Sequence, residues 1–155
     1  MPSRPPRTTR AADDHANPAA RVFVDSGAWI ALRSRRDQYH ADADRLFRTA
    51  IERRIRLVTT NLIIAEVHRL TLFRAGLQPA LRGLDGIGAS PSVTIHFATA
   101  DDHAAARSWI ERLAPRPITY TDSVSFAVMS ATACSQVLGF DEDFAAAGFT
   151  PWSVR

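Results

Sequence analysis

Four carboxylates stand where an alternating strand and helix pattern tends to place ligands. Asp25 follows the apolar run Val22-Phe23-Val24, Glu66 sits among Ile64, Ala65 and Val67, Asp122 precedes the apolar run Val124 to Cys134, and Asp141 follows Val137-Leu138-Gly139-Phe140. Carboxylates gathered within a few Å repel one another, so a cluster of them protonates or splays unless a hard divalent cation holds it. Mg²⁺ or Mn²⁺ takes oxygen ligands in octahedral geometry and keeps several waters, which is what these residue types offer. Such a cation lowers the pKa of a bound water, polarises a phosphoryl oxygen and stabilises a leaving oxygen. The chemistry these residues suit is phosphodiester hydrolysis.

The elements that must position them follow from the apolar pattern. Val22 to Val24 are β-branched or aromatic and too few for a helix, so they predict a buried strand of a parallel sheet. Ser26 and Gly27 then lead into a helix carrying Ala28, Trp29, Ile30 and Leu32. Asp37 to His40 form a turn into a second helix with Tyr39, Ala43, Leu46, Phe47, Ala50 and Ile51 on one face. Leu57 and Val58 predict another short strand, capped by Thr59-Thr60-Asn61 into a helix from Leu62 to about Ala75. Residues 77 to 90 predict a short helix fading through Gly83, Gly86 and Gly88 to Pro91, the best candidate for a mobile connector.

Farther on, Val93, Ile95 and Phe97 alternate with polar residues as in a half-exposed strand. Thr99 and Asp102 have the spacing of a capping box, which assigns Asp101 and Asp102 to a helix start and not to chemistry. After Pro115 and Pro117, Asp122 falls in the first turn of the next helix, where the dipole favours an anion. Val137 to Phe140 predict a strand, Ala145 to Gly148 a turn, and Thr150 to Val154 a terminal strand. The fold class is therefore α/β. If the sheet is parallel, its carboxyl ends bring Asp25, Asp122 and Asp141 to one edge.

Each acid also has a plainer reading. Asp25 serves equally as an N-cap, and Glu66 also fits a plain helix face, solvated or paired with Arg69. What favours the clustered reading is the recurrence of four carboxylates in similar settings.

Composition narrows the classes. All nineteen basic residues are arginine, which argues against a P-loop, a Schiff-base enzyme, a receiver domain and a haloacid-dehalogenase-type phosphatase, each of which relies on a lysine. The single Cys134 leaves no internal disulfide and no cysteine-built zinc site, and its apolar setting predicts a buried thiol. His15, His40, His68, His96 and His103 are too scattered for metal-ligand spacing. Residues 1 to 20 are rich in Pro, Arg, Ala and Thr, which predicts a disordered tail before one domain over residues 21 to 155. No membrane-length apolar run and no signal-peptide core are present, so a cytoplasmic location is expected. The net charge of +3 is modest, and the arginine clusters at 33, 35 and 36 and at 45 to 56 read first as solvated faces. Around an acidic pocket, guanidinium groups would also neutralise and steer a phosphodiester chain.

Four segments in order carry a family likeness: Val22-Phe-Val-Asp-Ser-Gly-Ala-Trp29, Thr59-Thr-Asn-Leu-Ile-Ile-Ala-Glu-Val67, Tyr120-Thr-Asp-Ser123 and Leu138-Gly-Phe-Asp-Glu-Asp-Phe144. With them the chain resembles the PIN-domain ribonucleases, most closely the small bacterial toxins of the VapBC toxin-antitoxin type. The resemblance implies an α/β/α sandwich with a central parallel twisted sheet flanked by helices. It implies that Asp25, Glu66, Asp122 and Asp141 are the acidic metal-binding and catalytic residues for Mg²⁺ or Mn²⁺, with Ser26 and Asn61 as polar neighbours of the pocket. The activity it implies is an endoribonuclease that cuts structured RNA such as tRNA or rRNA and slows translation. A VapB-like antitoxin whose tail fills the acidic groove is the partner it implies, together with a homodimer. Two departures stand out. Gly139 replaces a Thr or Ser frequent in the family, which removes a hydroxyl expected to orient Asp141, and Asp143 lies near enough to share the metal. A PIN-like binding module without cleavage, and a metal-dependent phosphatase or DNA nuclease, are the alternative functions the residues leave open.

Overall fold

The computed structural model describes residues 20–154, so the expected amino-terminal tail lies outside the described residues. Strand β1 (Arg21–Val24) runs through the centre of the molecule, and its Val22, Phe23 and Val24 are all buried. Side chains alternate across a strand, so Phe23 faces one layer of helices while Val22 and Val24 face the other. Phe23 meets Phe144 with ring centroids 6.1 Å apart. A strand covered on both faces is what an uninterrupted apolar triplet requires.

Around β1 stand β2 (Arg56–Thr60), β3 (Val93–His96), β4 (Gln136–Leu138) and β5 (Thr150–Pro151), in the spatial order β3-β2-β1-β4-β5. Every pairing is parallel. The helices are α1 (Ser26–Arg33), α2 (His40–Glu52), α3 (Asn61–Ala75), α4 (Leu77–Ala89), α5 (Ala100–Leu113), α6 (Tyr120–Ala131) and the short α7 (Asp143–Ala146). On one side α1 packs with α2 and α3, and α3 with α4, while α5, α6 and α7 pack together on the other. Trp109, Phe126, Phe144 and Phe149 form the aromatic body of that second layer. The chain progresses from β1 outward to β3, then returns to the opposite side of β1 for β4. This reversal makes a switch point, and the crevice beyond the carboxyl ends of β1 and β4 is where such sheets take ligands.

Several elements differ from the sequence expectation for physical reasons. Residues 77 to 89 form an unbroken helix, not a fading one, because α4 is held by its packing on α3 and not by its own propensity. Gly76, at φ 91°, turns α3 directly into α4 with a conformation other residues rarely adopt. Helix α6 starts at Tyr120, capped by Thr119, and stops at Ala131, which leaves the buried Cys134 outside it. The last strand has only two residues, and Pro151 is tolerated there because β5 is the edge strand and the bonds to β4 come from its neighbours, Thr150 N–H to Ser135 and Trp152 N–H to Val137. Phe97 lies beyond β3 and is largely exposed. Among the described residues no helix is long and apolar enough to cross a membrane.

Candidate active site

Asp25 ends β1 at the switch point, with its amide donating to the Leu138 carbonyl of the neighbouring strand at 3.1 Å. It occupies the N-cap position of α1 but its side chain makes no capping bond. Thr60, Thr99 and Thr119 each cap their helices with a hydroxyl, so the plain capping role open to Asp25 is filled elsewhere by other residue types. The Asp25 carboxylate is 4% exposed, and its Oδ1 is buried without a partner among the described residues. An orphaned buried carboxylate oxygen is costly, and its presence asks for a ligand.

Burial, then repulsion from Asp122, pushes the Asp25 pKa up to about 7, with further upward pressure from Glu66 and Asp141 against a lowering by the Ser26 amide. Asp122, in the first turn of α6, is raised to about 6, chiefly by burial and with repulsion from Asp141, Glu66 and Asp143. The Thr119 hydroxyl opposes that rise by donating to Asp122 Oδ2 at 2.7 Å. These two acids, half-buried Glu66 on α3, and exposed Asp141 after β4 thus act on one another's charge. No ion pair ties Glu66 to Arg69 among the described residues.

Oxygens of Asp122, Asp141 and Asp143 lie within 4.8 Å of one another, a spacing that can hold a metal ion. Asp143 therefore belongs to this group, which among the described residues includes neither Asp25 nor Glu66, although Arg116 Nε already donates to the Asp143 Oδ1. The signal for it in the sequence was its spacing two residues after Asp141, whose Oδ1 accepts the Asp143 amide at 2.9 Å. Of the two expected polar neighbours, Ser26 lines the cavity beside Asp25 and Asp141. Asn61 instead accepts the Ala98 amide at 2.9 Å, fastening the segment before α5. The Thr99 and Asp102 capping box is present, and Asp102 also bonds His96 Nε2 at 2.7 Å. These contacts place Asp102 in structure rather than in the acidic group.

A central parallel sheet with helices on both sides and carboxylates gathered at its switch point defines the PIN domain. The family model of that domain matches residues 22–150, and the chain belongs to this family. Within it the chain is of the VapC toxin type. It is 33% identical over 128 residues to the 23S rRNA-specific endonuclease VapC20 of Mycobacterium tuberculosis, in strains CDC 1551 and H37Rv, covering 83% of this chain and 95% of that relative. The crystal structure of Mycobacterium tuberculosis VapC20, a sarcin-ricin loop cleaving toxin, superposes with a TM-score of 0.78 at 31% identity, covering 84% of this chain and 98% of that one.

Proposed function

We propose that this chain is a toxin-type, metal-dependent endoribonuclease that hydrolyses a phosphodiester bond in structured RNA. Ribosomal RNA is the favoured substrate, because the VapC20 relative is a 23S rRNA-specific endonuclease. The observation that carries the reading is the buried, unpartnered Oδ1 of Asp25, whose carboxylate is repelled by Asp122, Glu66 and Asp141. A divalent cation satisfies that oxygen and removes the repulsion.

Asp25 and Asp122 are the principal holders of Mg²⁺ or Mn²⁺, and Glu66 and Asp141 complete the acidic shell. Bound there, the cation supplies charge stabilisation at the phosphoryl group and favours ionisation of the attacking water. The backbone bond from Asp25 to Leu138 and the hydroxyl bond from Thr119 to Asp122 fix the two principal carboxylates on rigid elements. Glu66, half-buried on a separate helix, accepts the proton of the attacking water at its carboxylate. The new P–O bond forms as the bond to the leaving sugar oxygen breaks, and that oxygen takes up a proton from bulk water.

A VapB-like antitoxin is the proposed partner, blocking the acidic crevice, and a homodimer is the proposed assembly. A cytoplasmic location follows from an RNA substrate of this kind. The test is incubation of ribosomes and total RNA with the purified chain in Mg²⁺ or Mn²⁺, in EDTA, and with Asp25→Asn. Discrete fragments that disappear with EDTA and in the variant are expected. A folded, antitoxin-free wild type that leaves every RNA intact while hydrolysing single-stranded DNA or a small phosphate ester would overturn the assignment to RNA.

A further inference from the structure

Hydrolysis itself calls on the carboxylates and the cation they would hold, yet their cavity has an aromatic wall. Tyr39 and Phe140 stack with ring centroids 4.3 Å apart and planes 6° from parallel. Both border the cavity of about 330 Å³ that also holds Asp25 and Asp141. Phe140 packs against the core while Tyr39 is 38% exposed, so the outer side of the stack is the one that solvent reaches. Asp37 Oδ1 accepts the Tyr39 amide at 2.9 Å, which fixes the base of that ring at the start of α2.

The same cavity shares Ile30, Asp37, Leu70 and Arg74 with an adjoining groove of about 530 Å³. Arg33, Arg36, Arg74 and Arg82 line this groove. None of the four is in an ion pair among the described residues, whereas Arg45 and Arg48 on α2 are paired with Asp42 and Asp44. Arg33 Nη1 donates to the Arg82 carbonyl at 3.1 Å, so two guanidinium-bearing residues are held together without a carboxylate between them. Uncompensated arginines beside a flat aromatic face and a hydrolytic centre suit one kind of ligand. Phosphates neutralise the arginines, and a base presents a π-face to the ring.

We propose that the Tyr39–Phe140 stack and the arginine groove form the track for an unpaired stretch of RNA. A base next to the scissile phosphate stacks on Tyr39, and the following phosphates run past Arg74 towards Arg36 and Arg82. The choice of RNA rests on the nuclease reading above; the stacking and phosphate contacts rest on this chain's own residues. Bases inside an A-form duplex have no free face to offer a side chain, so the track selects a loop or bulge. A base-reading wall of this kind narrows which phosphodiester is brought to the acids.

The test uses the full chain in EDTA with a single-stranded RNA carrying 2-aminopurine, so that binding is read without cleavage. Stacking on Tyr39 is expected to quench the fluorophore. Tyr39→Ala is expected to abolish the quench and weaken binding on the order of 10-fold, the usual worth of one stacked base. Tyr39→Leu, which keeps bulk against Phe140, is expected to lose the quench as well, while Tyr39→Trp retains it. Arg36→Gln and Arg74→Gln should each reduce the slope of log affinity against log salt by about 0.7, the value for a single strand. Unchanged quenching in Tyr39→Leu, or an unchanged salt slope in the arginine variants, would overturn the track. Intact binding with no cleavage in Mg²⁺ would sink the nuclease reading alone.

Discussion

Gly139 lies against Asp25: a Cβ built on the glycine would stand 3.0 Å from the Asp25 Cβ and 3.7 Å from its Oδ2. The family resemblance implied a missing hydroxyl that would orient Asp141, but the side chains nearest a Cβ at position 139 are those of Asp25 and Val137. Asp25 cannot yield easily, because its amide is bonded to Leu138 on the adjacent strand. Gly139→Thr is therefore expected to displace Asp25 and lower the cleavage rate on the order of 10- to 100-fold, as small misplacements of catalytic groups do. Single-turnover cleavage at saturating protein, with circular dichroism to confirm the fold, checks this.

Asp25→Asn has opposite effects on activity and on the stability of the metal-free chain. The carboxylate is buried and repelled by Asp122, so at pH 8 its charge costs the fold. An amide of the same size removes that charge and is expected to add about 2 kcal/mol, given about 1.4 kcal/mol per pKa unit and partial relaxation. For a chain of this size that is a Tm rise of roughly 5 °C. Thermal denaturation in EDTA reads the gain, and cleavage in Mg²⁺ reads the accompanying loss of activity.

The pH dependence of metal-free stability follows from the same two acids. Burial and repulsion from neighbouring carboxylates push folded Asp25 up to about 7 and Asp122 up to about 6, above the ordinary carboxylate value of 3.8 that the unfolded chain keeps. Between these limits the native state binds more protons than the unfolded state, so stability falls as pH rises from about 4 to about 7. Mg²⁺ or Mn²⁺ binds the ionised form, so its stabilising effect should be larger at pH 8 than at pH 5. Tm measured at both pH values with EDTA and with the cation checks the sign; a metal-free chain more stable at pH 8 than at pH 5 would contradict it.

The parts legible in the sequence were those set by local chemistry. An apolar triplet ending in Asp25 marked a central strand, and Thr99 with Asp102 marked a helix start, because strand burial and capping depend on neighbouring residues. The extent of α4 was not legible, since its glycines are outweighed by packing on α3. Arg33 and Arg36 are exposed, as a solvated run is, but nothing local announced that they line one groove with Arg74 and Arg82. Tyr39 and Phe140 are a hundred residues apart in the chain, so no local pattern announces their stacking. Non-local approach of this kind appears only when the fold brings α2 beside the end of β4.

Asp141 and Asp143 share one short turn but differ in whose charge they meet. Asp141 acts on both Asp25 and Asp122, whereas Asp143 acts on Asp122 and is itself engaged by Arg116. A carboxylate whose charge is already opposed by a guanidinium gains less from a cation than one that is not. Asp141→Asn is therefore expected to reduce cleavage on the order of 100-fold or more, and Asp143→Asn by less than about 10-fold, the ratio expected when one change removes transition-state charge stabilisation and the other an accessory contact. Arg116→Gln then provides an independent reading. It frees the Asp143 carboxylate to repel Asp122, so the metal-free chain should lose stability at pH 8 and recover more of it when Mn²⁺ is added than the wild type does. Equal losses in the two aspartate variants, with a cation response unchanged in Arg116→Gln, would mean that Asp143 is a full member of the acidic shell despite its arginine.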